Sequence, residues 1–276
     1  VELMVALEEK FGRPIDEAEF ARASTVGALE QLVARPPATD AEAAAPAEPV
    51  EFPAWNRAWW ARGLRRLSQP TWILPLARLF AWVKVEGLHH LRDLEGPVIF
   101  AANHQSHMDT PAILWALPSR WRYRVAVAMA KEFFKAHFFP EGHSGLARFT
   151  NGLNYYLASL FFNAFPLPQR EAGARQTLRY IGDLVTDGWS VLIFPEGKRT
   201  MEGEINPFRP GIGMIGSRLG VPVVPVRIEG LDKVLHQTAK MATPGPVRVA
   251  FGAPLRLAGD DYAELARNVE DAVRNL

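Results

Sequence analysis

The sequence predicts an α/β fold, a mixed sheet flanked by helices, behind a short all-α N-terminal segment. Three observations carry this expectation. From residue 83 onward, apolar runs of strand length alternate with stretches of helical length. The run Val98-Ile99-Phe100-Ala101-Ala102 is apolar throughout, as strands covered on both faces are. A Pro/Ala/Glu-rich stretch at 35–54 separates this region from what precedes it and reads as an extended linker.

Bulk properties bound the rest. With 276 residues the chain has room for one large or two smaller domains. Hydrophobic content of 48% and charged content of 22% are ordinary for a globular protein. A net charge of +1 provides no field suited to nucleic acid, so nucleic acid is not an expected partner. Cysteine is absent, which excludes a thiol nucleophile, disulfides and cysteine-bound metal. No uninterrupted apolar run reaches bilayer length. The first residue, Val1, lies inside an amphipathic pattern and no signal peptide is visible, so the expectation is a piece of a longer chain.

In chain order, Val1, Val5 and Leu7 to Phe11 form a helical stripe stopped by Gly12 and Pro14. A short helix fits 16–22, and Thr25 caps another over 26–33. Residues 1–34 bury too little to stand as a domain alone. Segment 55–82 is next. Trp55, Trp59, Trp60 and Trp72 are interleaved with Arg57, Arg62, Arg65 and Arg66. This suits helices in a headgroup layer, with indoles at the apolar boundary and arginines near phosphates. A helix packed on the main domain with solvated arginines fits the same pattern. Strands are expected at 83–86, 98–102, 124–128, 190–194, 223–228 and 247–251. Helices are expected at 111–117, 146–163, 172–186, 211–219 and 262–276.

Chemistry concentrates where strands end. Asn103-His104-Gln105-Ser106-His107-Met108-Asp109 follows the 98–102 strand directly. His104 and Asp109 can meet only if His104 lies in the strand-to-helix turn and Asp109 in the first helical turn. The carboxylate would then orient the imidazole as a general base. Ser106-x-x-Asp109 is equally a helix-capping pattern, and Pro111 suits a first turn. A second polar cluster, Pro195-Glu196-Gly197-Lys198-Arg199-Thr200, follows Val191 to Phe194 and offers cationic donors suited to phosphate. A third places Arg170 just before the 172–186 helix, where arginine and helix end together can bind an anion. The segment Gly220 to Val226 reads as structural. A serine-hydrolase elbow is absent, since Gly142-His143-Ser144-Gly145 continues with Leu146. A metal held by His104, His107 and Asp109 lacks further ligands in the sequence.

These blocks together resemble the glycerolphosphate/acylglycerolphosphate acyltransferase family over about residues 55–276. N-H-x-S-x-x-D is matched by Asn103, His104, Ser106 and Asp109, and F-P-E-G-x-R-[ST] by Phe194 to Thr200. F-[KR]-x-G is matched by Phe208, Arg209 and Gly211, and V-P-[VI]-x-P-V by Val221 to Val226. The arginine-bearing motif departs from the family pattern, with Arg170 following Pro168-Gln169. The resemblance implies that His104 is the general base and Asp109 its orienting carboxylate. It assigns Arg170, Lys198, Arg199 and Thr200 to the phosphate-bearing acceptor, in a pocket shaped by Glu196 and Gly197. It implies no cofactor or metal, with acyl-CoA or an acyl-carrier protein as co-substrate, and a peripheral site on the cytoplasmic side of a membrane. A non-catalytic membrane-surface or carrier-docking module is the competing class. The apolar stretch 153–165, too short to span a bilayer, fits either a buried helix or a wall for the acyl chain. Residues 1–34 resemble the second half of an acyl carrier protein, on Val1 to Gly12, Ile15 and Thr25 to Leu29. That resemblance places the phosphopantetheine serine before Val1, and an acyl-activating domain upstream is the matching expectation.

Overall fold

Strand β2 (Ile99–Ala102) is buried in every residue and lies at the middle of the sheet. Its side chains divide by parity. Ile99 and Ala101 enter one hydrophobic layer, while Phe100 and Ala102 enter the other. That is why the run carries no polar alternation: both faces are roofed by helices. The computed structural model describes residues 52–167, 174–197, 199, 204–235 and 242–276. The carrier-like segment 1–34 and most of the linker lie outside the described residues, as do Arg170, Lys198 and Thr200.

Six more strands complete the sheet: β1 (Ala81–Glu86), β3 (Val125–Ala130), β4 (Ala164–Leu167), β5 (Ser190–Ile193), β6 (Val223–Glu229) and β7 (Gly245–Phe251). The order is β1-β7-β6-β2-β5-β3-β4. Every neighbouring pair is parallel except β6 and β7, so the sheet is mixed, as expected. One layer is roofed by α2 (Leu74–Phe80) and α3 (Asp109–Ala116), through Leu74, Ile113 and Leu114. The other is roofed by α5 (Ala174–Thr186), α6 (Gly211–Leu219) and α7 (Tyr262–Arg274), through Ile181, Leu184, Ile215 and Val269. Two further long helices among the described residues are α1 (Trp59–Ser68) and α4 (Gly145–Phe162). They pack on each other beside β4 rather than over the sheet face. Residues from Val50 to Leu276 form one compact unit.

Strand β4 is absent from the sequence-based expectation, which placed this apolar stretch within and just after a helix. Asn163 makes the break. It adopts φ 55°, ends α4, donates from Nδ2 to the Val125 carbonyl at 3.1 Å, and so turns the chain onto β3. Pro166 is tolerated because β4 is an edge strand. Pro225, in contrast, lies in central β6. Its backbone faces β7 where regular pairing is interrupted, and its carbonyl accepts from the Gly252 N–H at 2.8 Å.

The Trp/Arg segment differs from expectation at two points. Its helices end at Phe80, and Ala81 and Trp82 already belong to β1, paired with Gly245 and Pro246. A π-helical turn, Gln69–Ile73, joins α1 to α2 at Pro70. Arg65 does not face a headgroup layer. It is buried, and donates to the carbonyls of Leu160 at 3.0 Å, Ser159 at 3.3 Å and Asn56 at 2.8 Å. The first two belong to the last turn of α4, where a cation meets the negative end of the helix dipole. Desolvation, with a smaller push from Arg62, lowers the Arg65 pKa to about 10, still charged at neutral pH.

Arg248 on β7 ties the edge of the sheet, reaching Glu86 on β1 at 2.6 Å and Glu229 on β6 at 2.9 Å. Its hydrogen bond, joined by one from Lys84, lowers the Glu86 pKa from 4.5 to about 2. A carboxylate depressed in the folded state contributes stability above its unfolded pKa and loses it as pH falls through the folded one. Arg248→Met is therefore expected to lower the melting temperature by a few degrees at pH 7. The gap to wild type should narrow between pH 4.5 and about 2. A gap independent of pH would assign the loss to packing instead.

Candidate active site

Strand β2 is flanked by β5 and β6, and the carboxyl ends of these three parallel strands meet at one edge of the sheet. The chain after β2 carries residues 103–109, the chain after β5 carries 194–197, and the chain after β6 runs through a single helical turn, Leu231–Val234. Sequence-distant residues are thus delivered to one place by parallel strand direction alone.

Asp109 is the first residue of α3 and has no solvent exposure. Its carboxylate accepts from the backbone N–H of Gln105 at 2.7 Å and of Ser106 at 3.0 Å, and from His104 Nδ1 at 2.6 Å. The helix N-terminus favours the same negative charge. Half of the Ser106-x-x-Asp109 capping box is formed, the bond from Ser106 N–H to the Asp109 carboxylate. Ser106 Oγ instead accepts from Met108 N–H at 3.3 Å and donates to the Leu235 carbonyl at 3.1 Å. His104 lies in the turn, as the sequence requires, with its ring stacked on Phe194 at 4.4 Å between centroids. About a quarter of its side chain, 24%, reaches solvent. A carboxylate at Nδ1 holds the proton there and makes Nε2 the basic nitrogen.

The remaining polar side chains of the turn hold it in place. Asn103 is buried and makes a two-way bond with Ile228 of β6, donating to its carbonyl at 2.9 Å and accepting from its N–H at 2.7 Å. Gln105 Oε1 accepts from Leu231 N–H at 3.1 Å. Neither contact was foreseen, because spacing along the chain carries no sign of a partner more than 120 residues away. Both partners lie just past the Gly220–Val226 segment read as structural, Ile228 near the end of β6 and Leu231 in the turn beyond it.

Glu196 is buried and uses both oxygens on this chain's own backbone. Oε1 accepts from His104 N–H at 2.7 Å and Oε2 from Asn206 N–H at 2.8 Å. Burial raises its pKa, while the two N–H donors act in the opposite direction. Gly197 has φ 70°, and the Arg209 guanidinium occupies the space a Cβ would need, with Nε 2.6 Å from that point. The positive φ favours glycine here, and a Cβ would force the Arg209 side chain to shift. Arg209, matched in the sequence to a motif position but given no role there, therefore lies directly on the turn. His107 packs beside Phe133 at 5.2 Å. Its pKa is lowered to about 4, chiefly by lost hydration and further by the charges of Arg199 and His104. Arg199 follows Gly197 by two residues, at the end of the same turn. Of the sequence-predicted site residues, His104, Asp109, Glu196, Gly197 and Arg199 come together. Among the described residues no group of three His, Asp or Glu side chains is arranged to hold a metal ion. Both Asp109 oxygens are committed to His104 and the turn's N–H groups.

A family model described as Acyltransferase matches residues 82–229, more than half of the chain. Among curated proteins, a 1-acyl-sn-glycerol-3-phosphate acyltransferase of Brassica napus is 27% identical over 193 residues, covering 69% of this chain and 48% of the relative. The human 1-acyl-sn-glycerol-3-phosphate acyltransferase beta is 28% identical over 179 residues, covering 64% and 58%. The chain thus spans about half the length of the curated relatives it matches. Among solved structures, the 1-acyl-sn-glycerophosphate acyltransferase PlsC from Thermotoga maritima superposes with a TM-score of 0.54 at 23% identity, covering 77% of this chain and 80% of that one. That likeness shows the shared α/β fold.

The Asn103 anchor has a measurable consequence. Asn103→Ala leaves the buried N–H and carbonyl of Ile228 without these partners and is expected to cost about 2–3 kcal/mol in urea unfolding. Unchanged stability would mean that water or relaxation replaces both bonds.

Proposed function

The chain belongs to the acyltransferase family, and from that premise we propose that it moves a fatty acyl group from a thioester to a hydroxyl of a glycerol-phosphate lipid, such as 1-acylglycerol 3-phosphate. The observation that carries this reading is the His104–Asp109 pair at 2.6 Å, partly open to solvent at the carboxyl edge of the sheet. His104 Nε2 takes the proton from the acceptor hydroxyl as its oxygen attacks the thioester carbonyl. Asp109 keeps Nδ1 protonated and stabilises the imidazolium that forms. Collapse of the tetrahedral intermediate breaks the C–S bond, and the thiolate recovers the proton from the imidazolium. A thioester is already activated, so a base and good positioning suffice.

The phosphate of the acceptor is assigned to the cationic side of the site, at Arg199 with Lys198, Thr200 and Arg170. Glu196 and Gly197 act less directly: one holds the His104 backbone, the other admits Arg209 against the turn. The donor is acyl-CoA or an acyl-carrier protein, and the carrier-like residues 1–34 favour the second. The proposed location is peripheral, on the cytoplasmic face of a membrane. Trp59, Leu67 and Leu79 present their side chains to solvent, and no helix among the described residues is long and apolar enough to cross a bilayer.

The test is transfer of a labelled acyl group from its thioester to 1-acylglycerol 3-phosphate. His104→Ala is expected to lower the rate on the order of 10³-fold. Asp109→Asn keeps the size of the side chain but disturbs the imidazole tautomer, with a comparable fall expected. Equal rates in wild type and His104→Ala would place the chemistry elsewhere.

A further inference from the structure

Helix α4 lies in the middle of the chain and outside the Trp/Arg segment, yet it carries five exposed large apolar or aromatic side chains. Gly152, Tyr155 and Ser159 are its buried residues. Leu146, Phe149, Leu153, Tyr156 and Leu157 are exposed, with Leu146 at 74% and Phe149 at 68%. At about 100° per residue these five fall in one sector roughly 100° wide, away from the buried one. A helix facing water would place polar groups there; contiguous exposed apolar surface of this kind marks an interaction site.

We propose that α4 is a second membrane-docking element, which together with α1 forms one face seated on an anionic lipid leaflet. Three observations select lipid as the occupant. First, the two helices are locked into one body. Arg65 of α1 bonds the last turn of α4, Gln69 donates to the Phe161 carbonyl at 2.8 Å, and the Trp55 ring lies 6.0 Å from that of Tyr156. Their apolar surfaces therefore move together. Second, the charge pattern complements anionic headgroups. Around α1, exposed Trp59, Trp60, Leu64 and Leu67 occupy one sector, Arg62 and Arg66 an adjoining exposed one, and Ala61, Arg65 and Ser68 the buried one. No Asp or Glu occurs between residues 52 and 85 or between 142 and 170, although 30 are present in the chain. Indoles bordered by arginines suit an interfacial layer. Third, one segment links the face to the site. The single turns Lys131–Phe134 and Lys135–Phe138 pack on α4, the His137 ring lies 5.5 Å from exposed Tyr156, and the exposed Phe133 ring lies 5.2 Å from His107. The residues beside His104 are thus joined to the proposed lipid-facing surface through one short stretch of chain.

This inference extends the membrane placement proposed above, but its test is independent of acyl transfer. Because the chain has no cysteine, Leu153→Cys accepts a single environment-sensitive fluorophore. The labelled protein should show a blue shift and increased emission with phosphatidylglycerol-containing vesicles, and a weaker change with pure phosphatidylcholine. The double variant Phe149→Ser/Leu153→Ser should lose about tenfold in vesicle partition while its melting temperature holds, since both side chains are exposed. An unshifted probe on bound protein overturns the proposal. So does unchanged partition of the double variant. A change in preferred acyl-chain length with partition intact would make α4 a wall of the acyl site. Loss of self-association with partition intact would make it a contact between copies.

Discussion

A fully buried carboxylate at the first position of a helix is the constraint from which the site follows. Asp109 must be satisfied where it is, because an ionised carboxyl out of reach of water is tolerated only with strong donors around it. The donors are two backbone N–H groups of its own turn and the His104 ring. Meeting that requirement bends residues 104–108 into a tight loop and turns the imidazole to a single orientation. The same bonds that stabilise the fold locally therefore hold the imidazole in one orientation.

The loop could still shift as a body, and its neighbours prevent that. Asn103 and Gln105 bind it to the end of β6 and the turn beyond, while Glu196 holds the His104 backbone from the end of β5. The two strands flanking β2, adjacent in space but distant in sequence, thus grip the turn from both sides. Phe194 supplies the flat surface against which the ring lies. Beyond this rigid inner arrangement the character changes: His107 packs against the exposed ring of Phe133, whose turn packs on α4.

Much of this was legible in the residues. Uninterrupted apolar runs identified the buried strands, because burial on both faces leaves no room for polar alternation. His104 and Asp109 could be paired from spacing, since only a strand–turn–helix geometry brings positions five apart into contact. Less legible were the elements whose cue was weak or shared. Strand β4 is four residues long, contains a proline and follows an apolar helix, so periodicity alone cannot separate it from what precedes it. Arg65 carries the same local signature as Arg62 and Arg66, and only the approach of α4 makes it a buried latch.

By itself, the sequence determined the class of fold, most of its strands and helices, and the pairing of His104 with Asp109. Local periodicity encodes the elements, and short-range spacing encodes the pair. The tertiary structure alone decided that Glu196 supports the His104 backbone, that β6 anchors the turn through Asn103, and that Arg65 of α1 is latched to the last turn of α4. Each of those depends on which distant backbone groups a side chain finds once the strands are aligned. That is a property of parallel packing in space, and no interval along the chain records it.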